Sequence, residues 1–125
     1  MTEELNAKWR ELVAAGRAEW MPGMRAIDTD GQAVRVVQAS GAAVLEDVGG
    51  VAYPMRSTPP DWDDPATVGC LLAMVRAAWG DDDIYFGSSL SIKRKRWSWV
   101  MGGGDRIGQG DTEAEALLAA LEAAP

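Results

Sequence analysis

The chain has 125 residues, 47% of them hydrophobic and 25% charged, with 19 acidic against 12 basic residues and a net charge of -7. Such a length and composition fit one α+β domain over residues 1–125 with its own core, and the acidic balance opposes general attraction to nucleic acid. With no histidine and one cysteine, Ser-His-Asp triads, Cys-His pairs, histidine-liganded metals and internal disulfides are excluded within the chain.

Residues 3–19 are predicted as an amphipathic helix. Leu5, Trp9, Leu12, Val13 and Trp20 recur at helical spacing, and Met21-Pro22-Gly23 is expected to stop it. A β region follows from Met24 to Met55. Its expected strands are Met24–Asp28, Ala33–Gln38, Ala42–Glu46 and Val51–Met55. Turns at Thr29-Asp30-Gly31-Gln32, Ser40-Gly41 and 47–50 join them into a meander or a small SH3-like barrel.

A loop over Ser57–Asp64 leads to a middle helix that Asp64-Pro65 starts and Gly80-Asp81 ends. Val68, Leu71, Leu72, Val75 and Trp79 form its apolar stripe, expected to pack on a sheet together with Leu117 and Leu121. A short strand is expected at Ile84–Phe86 and a longer one at Ser91–Met101. A glycine-rich, flexible and hairpin-like connection is then expected from Gly102 to Gly110. The last helix starts at Asp111 or Thr112, with Thr112 and Glu115 as a capping box, and runs to about Ala124. The fold expected is therefore α+β: an N-terminal helix, a small antiparallel β unit, a middle helix, further strands and a C-terminal helix.

The most informative stretch is Lys93-Arg94-Lys95-Arg96-Trp97-Ser98-Trp99, which concentrates positive charge beside two tryptophans in an acidic chain. On a strand, Lys93, Lys95, Trp97, Trp99 and Met101 share one face. One reading packs that tryptophan face against a helix and sends the cations into water, where edge lysines also discourage aggregation. A second stacks exposed tryptophans on the bases of a single strand, with Lys93, Arg94, Lys95 and Arg96 on phosphates. A third sets the same residues against another protein, since aromatic residues and arginine dominate binding hot spots. Trp62, in a polar loop, is either a lid over the core or a further anchor.

Asp61, Asp63 and Asp64 precede the middle helix and suit its positive end; Asp81, Asp82 and Asp83 follow it at the wrong end for the helix dipole. Neither cluster has the spacing of a calcium-binding loop; solvated loops are expected, with a weak divalent-cation site as the alternative. The glycines of 102–110 lack the lysine of a phosphate-binding loop, and Asp111, Glu113 and Glu115 would repel a phosphate there. Cys70 lies beside an apolar stripe and is expected to be a structural thiol. The expectation is a protein that is not an enzyme and uses no cofactor or metal. No apolar run nears the ~18 residues of a membrane span, and Met1-Thr2-Glu3-Glu4 lacks the basic head of a signal peptide. A cytoplasmic protein without a membrane partner is expected, its oligomeric state left open.

Two segments carry a resemblance. Asp63-Asp64-Pro65-Ala66-Thr67-Val68-Gly69-Cys70-Leu71-Leu72, continuing to Val75-Arg76-Ala77-Ala78-Trp79-Gly80-Asp81, resembles part of small uncharacterised phage and prophage proteins. Gly110-Asp111-Thr112-Glu113-Ala114-Glu115-Ala116-Leu117-Leu118 resembles their C-terminal end, and its turn and cap also resemble those of HicB-like antitoxin domains. The phage resemblance implies an accessory product of a host cell's cytoplasm and brings no catalytic residues. The function expected is binding of a host or phage protein, such as inhibition of a host defence system or host enzyme. Single-stranded nucleic acid on residues 93–99 is the alternative. The partner-binding residues expected are Lys93, Arg94, Lys95, Arg96, Trp97, Trp99 and Trp62.

Overall fold

The computed structural model describes residues 2–27, 33–40, 42–46, 52–55, 59–93 and 95–125. Among them are three helices and seven strands in an α+β arrangement: α1 (Thr2–Ala14), β1 (Arg25–Ile27), β2 (Ala33–Ser40), β3 (Ala42–Glu46), β4 (Ala52–Met55), α2 (Pro65–Trp79), β5 (Tyr85–Leu90), β6 (Arg96–Gly102), β7 (Asp105–Gly110) and α3 (Glu113–Glu122). None of the described helices is long and apolar enough to cross a membrane. The chain divides into two compact units, residues 19–70 and residues 1–18 with 71–125, so that α2 contributes its first turns to one and its remainder to the other.

In residues 19–70 the four strands pair antiparallel in sequence order. The expected strands are present; the turns at 29–32 and 47–50, and Gly41, lie outside the described residues. Pro54 is tolerated because β4 is an edge strand, where a missing N–H costs no ladder bond. The free edge of β1 is taken by the segment before α2: Ala26 bridges Pro60, and the Asp61 amide donates to the Arg25 carbonyl at 2.7 Å.

Asp64 ties the first turn of α2 to this sheet. Its carboxylate accepts the Thr67 amide at 3.0 Å, the Thr67 hydroxyl at 3.1 Å and the Arg35 guanidinium at 2.8 Å. Thr67 in turn accepts the Arg25 amide at 2.9 Å. Burial of Asp64 alone would raise its pKa, but the hydrogen bonds from Arg35 and Thr67 outweigh it and hold the carboxyl below the ordinary aspartate range.

In the other unit α1 ends at Ala14, well before Met21-Pro22-Gly23. Gly16 stops it in the left-handed region at φ 73°: its amide bonds the Val13 carbonyl at 3.0 Å and that of Arg17 bonds Leu12 at 2.8 Å. This paired closure needs a residue that accepts positive φ, and the first such residue overrides the later proline. Leu5, Trp9 and Leu12 are buried, whereas Val13 is exposed. The α3 carboxyl end has no basic residue of its own, and Arg17 donates to the carbonyls of Glu122 at 3.2 Å and Ala124 at 2.6 Å. Lys8 adds an ion pair to Glu122 at 2.9 Å.

The helix that lies on the β5-β6-β7 sheet is α3. Thr112 caps it, accepting the Glu115 amide at 3.2 Å, while the Glu115 carboxylate accepts the Asp111 amide at 2.7 Å. The glycine-rich stretch is a hairpin, as expected, but most of it is strand rather than loop. Gly103 and Gly104 form the tight turn with positive φ, and 105–110 is strand β7. Gly108 and Gly110 lie under α3: a Cβ on Gly108 would strike the Ala116 carbonyl and come within 2.7 Å of the Ala120 amide, and one on Gly110 within 2.5 Å of Glu115 Cβ. Small residues on both sides bring helix and sheet close, and Leu117, Leu118 and Leu121 fill the flanks, all buried.

The stripe of α2 also differs from the sequence pattern. Val68, Leu71, Met74 and Val75 are buried, while Leu72 and Trp79 are half-buried; the Trp79 indole reaches α3, donating to the Ala120 carbonyl at 2.8 Å. Leu71 and Leu72 therefore make an internal comparison. Leu71→Ala should lower stability by about 1–2 kcal/mol more than Leu72→Ala, because only the first leaves a closed cavity. Equal urea midpoints for the two would show the helix face to be misassigned.

Candidate partner-binding surface

Residues 85–102 build a hairpin. Ser91 closes it: its amide donates to the Lys95 carbonyl at 2.9 Å and its hydroxyl accepts the Lys95 amide at 3.2 Å. Ile92 and Lys93 form the turn, so β6 starts only at Arg96 and the cations of 93–95 precede the strand. Arg94 lies outside the described residues. Lys93, Lys95 and Arg96 are exposed, with Lys95 3.9 Å from Asp111.

The alternation along β6 decides which face is buried. Ser98 and Val100 are buried and pair with Gly110 and Gly108, the glycines under α3. The Ser98 hydroxyl is satisfied by Ser88 at 2.9 Å. Trp97, Trp99 and Met101 therefore lie on the opposite face, away from α3, and are half-buried. Packing of the tryptophan face against a helix is thus corrected: small side chains and glycines suit a close-packed helix, and the large rings take the other side.

Cross-strand partners order these rings. Trp99 pairs with Gly87 and lies across it, since a Cβ there would be 2.7 Å from Trp99 Cζ2. Its indole N–H donates to the Ser89 hydroxyl at 3.0 Å, and Tyr85 meets it edge-on with centroids 5.7 Å apart. The Arg106 guanidinium sits 4.6 Å over the Trp97 ring and donates to Gln109 at 3.0 Å. The result is an ordered aromatic face rimmed by cations, beside a tip where Ile92 is fully exposed and Leu90 is 67% exposed.

Trp97, Trp99, Lys93, Lys95 and Arg96 thus belong to one hairpin. Trp62 does not: it lies in the other unit and is 8% exposed. Tyr85, Gly87 and Arg106 complete the face, Ile92 stands at its tip, and none of them was singled out from sequence. The readable signal was the alternation of Tyr85, Gly87 and Ser89, with a glycine where a ring must cross.

The remaining candidates are committed to structure. Asp61 pairs with Arg25 at 3.4 Å and accepts the Asp63 amide at 3.3 Å, while Asp81 accepts the Asp83 amide at 2.9 Å. Among the described residues no three acidic or thiol groups converge as a metal ion requires. The Cys70 thiol lies 3.7 Å from the Pro22 carbonyl; burial, then the nearby Asp64 carboxylate, push its pKa up against the pull of Arg35. A thiol so placed is a weak nucleophile at neutral pH. Compared with protein families, curated proteins and solved structures, the chain matches none.

Proposed function

We propose that this chain is a small accessory protein of the phage type that acts by binding another protein, for instance to inhibit a host defence system or host enzyme. The observation that supports it is the aromatic face of Tyr85, Trp97 and Trp99, with the fully exposed Ile92 at the tip of the same hairpin. Aliphatic side chains in water gain by burial against a protein and have little to offer a phosphate chain. The nearby cations are partly engaged: Arg106 stacks on Trp97 and Lys95 faces Asp111. The net charge of -7 further opposes a polyanion.

Single-stranded nucleic acid is the second reading, favoured by one observation: the tryptophans lie on the face away from α3 and keep part of their surface exposed. Ile92→Glu separates the two. The side chain is fully exposed, so folding should be unaffected. With a protein partner captured from the infected host, the substitution should weaken the purified complex by about 2 kcal/mol, as loss of a buried anchor does. With labelled single strands, sub-micromolar binding at physiological salt, lost when Lys93, Arg94, Lys95 and Arg96 become Ser, would put nucleic acid first.

A further inference from the structure

The β5-β6-β7 sheet has two edges of different character. β7 is protected as natural edges are: Asp105 and Arg106 are exposed, and the register shift against β6 leaves Ile107 as a bulge. β5 has none of these devices. Tyr85-Phe86-Gly87-Ser88-Ser89-Leu90 contains no charge and no proline, and it pairs with β6 in unbroken register. Among the described residues no backbone hydrogen bond reaches its outer side from another segment. Tyr85 is 54% exposed and Leu90 67%.

Charges of opposite sign flank this edge. Asp81, Asp82 and Asp83 lead into β5, and Lys93, Lys95 and Arg96 follow it. The aspartates follow the carboxyl end of α2, where the helix dipole disfavours them. Among the described residues, Asp82 and Asp83 make no ion pair, and Lys95 reaches Asp111 only at 3.9 Å.

We propose that a second copy of this chain adds to this edge, β5 against β5, antiparallel about a two-fold axis near Gly87 and Ser88. The two sheets then become one sheet of twice the width. An antiparallel two-fold pairing sets the acidic lead-in of each copy beside the basic tip of the other, and does so at both ends. A parallel pairing would set acid beside acid. A strand from an unrelated protein would satisfy the hydrogen bonds of the edge, but an inverted copy supplies the matching charge at both ends. The small residues Gly87, Ser88 and Ser89 at the centre let the strands approach. The pairing goes beyond the binding function and has a consequence for it: two aromatic faces become one, presenting each anchor twice.

Light scattering or sedimentation of the full chain should show a dimer at low salt that dissociates as salt rises, because the seams are screened. Two charge-block variants test the geometry. The first carries Asp81→Lys, Asp82→Lys and Asp83→Lys; the second carries Lys93→Glu, Lys95→Glu and Arg96→Glu. Each alone sets like charges together at both seams, and its dissociation constant should rise about ten-fold or more. Their equimolar mixture should dimerise again, since each supplies the charge that the other needs. Should either variant fail to fold by circular dichroism, hydrogen exchange of the unsubstituted chain reads the same edge. Amides of β5 should exchange more slowly at high than at low protein concentration, and those of β7 should not change. A chain that stays monomeric at high concentration in low salt overturns the proposal. So does a dimer indifferent to both charge blocks, or protection that falls on β7. Trp97→Ala alters the face of β6 away from α3 without changing the edge strand or its flanking charges, so it should weaken the binding function and leave the dimer intact, and the two losses are told apart.

Discussion

Gly108→Val is expected to destabilise residues 1–18 and 71–125 by about 4 kcal/mol or more, enough to undo most of a typical domain's margin. The added Cβ would strike the Ala116 carbonyl and stand 2.7 Å from the Ala120 amide. Both are backbone atoms of α3, so no rotamer relieves them and the helix must lift from the sheet. Lifting it uncovers Ala116, Leu117, Leu118, Ala120 and Leu121, all buried. Gly69 provides the opposite sign. It lies within α2 with nothing within 4 Å of an added Cβ, so Gly69→Ala should gain about 0.5–1 kcal/mol from helix propensity. Urea midpoints followed by circular dichroism read both, and a Gly108→Val midpoint close to that of the unsubstituted chain would refute the close packing of α3 on β7.

The same glycines show where sequence reading stops. Helical spacing and caps placed all three helices, and alternation with turn residues placed the strands of residues 25–55. Those signals are local and physically direct. A glycine in a strand has two local explanations, a turn or a close approach, and only the position of α3 chooses between them. Three glycines in a row at 102–104 favour a loop when read alone, and only Gly103 and Gly104 have the positive φ of a turn. The end of α1 failed for a related reason: Pro22 is a strong breaker, but Gly16 with Arg17 closes the helix first.

The candidate surface was half legible. Alternation correctly put Trp97, Trp99 and Met101 on one face, because the period of a strand is fixed. It could not say which face meets a helix. Burial trends favour large aromatic rings inside, yet Ser98 and Val100 took the inner positions. Close approach of α3 over Gly108 and Gly110 leaves room there for small side chains only. The run of cations looked like a strand because its neighbours are; Ser91, bonding to Lys95 through both amide and hydroxyl, turns the chain there instead.

Asp64→Ala should cost about 3 kcal/mol at neutral pH, through loss of the helix cap and of a charged hydrogen bond together. The carboxylate, itself buried, holds the Thr67 amide and hydroxyl and the Arg35 guanidinium. Removing it strands the buried Thr67 amide and hydroxyl, while Arg35 keeps the Gly23 carbonyl at 2.8 Å. The pH dependence has a definite sign. Hydrogen bonds from Arg35 and Thr67 overcome the effect of burial and keep the folded carboxyl below its ordinary value, which the unfolded chain takes at about 3.9. The folded state therefore binds fewer protons than the unfolded state in acid. The contribution of Asp64 is fully present above that ordinary value and is lost as pH falls through the folded pKa. The stability gap between the unsubstituted chain and Asp64→Ala should be widest at neutral pH and should narrow below about pH 4. Asp64→Asn keeps an oxygen to cap the helix but carries no charge for Arg35. It should fall between the two at neutral pH and lose this acid dependence. Urea midpoints of the three proteins from neutral pH into acid decide the matter. A gap that stays constant or widens in acid would mean that Asp64 is not held ionised by Arg35 and Thr67.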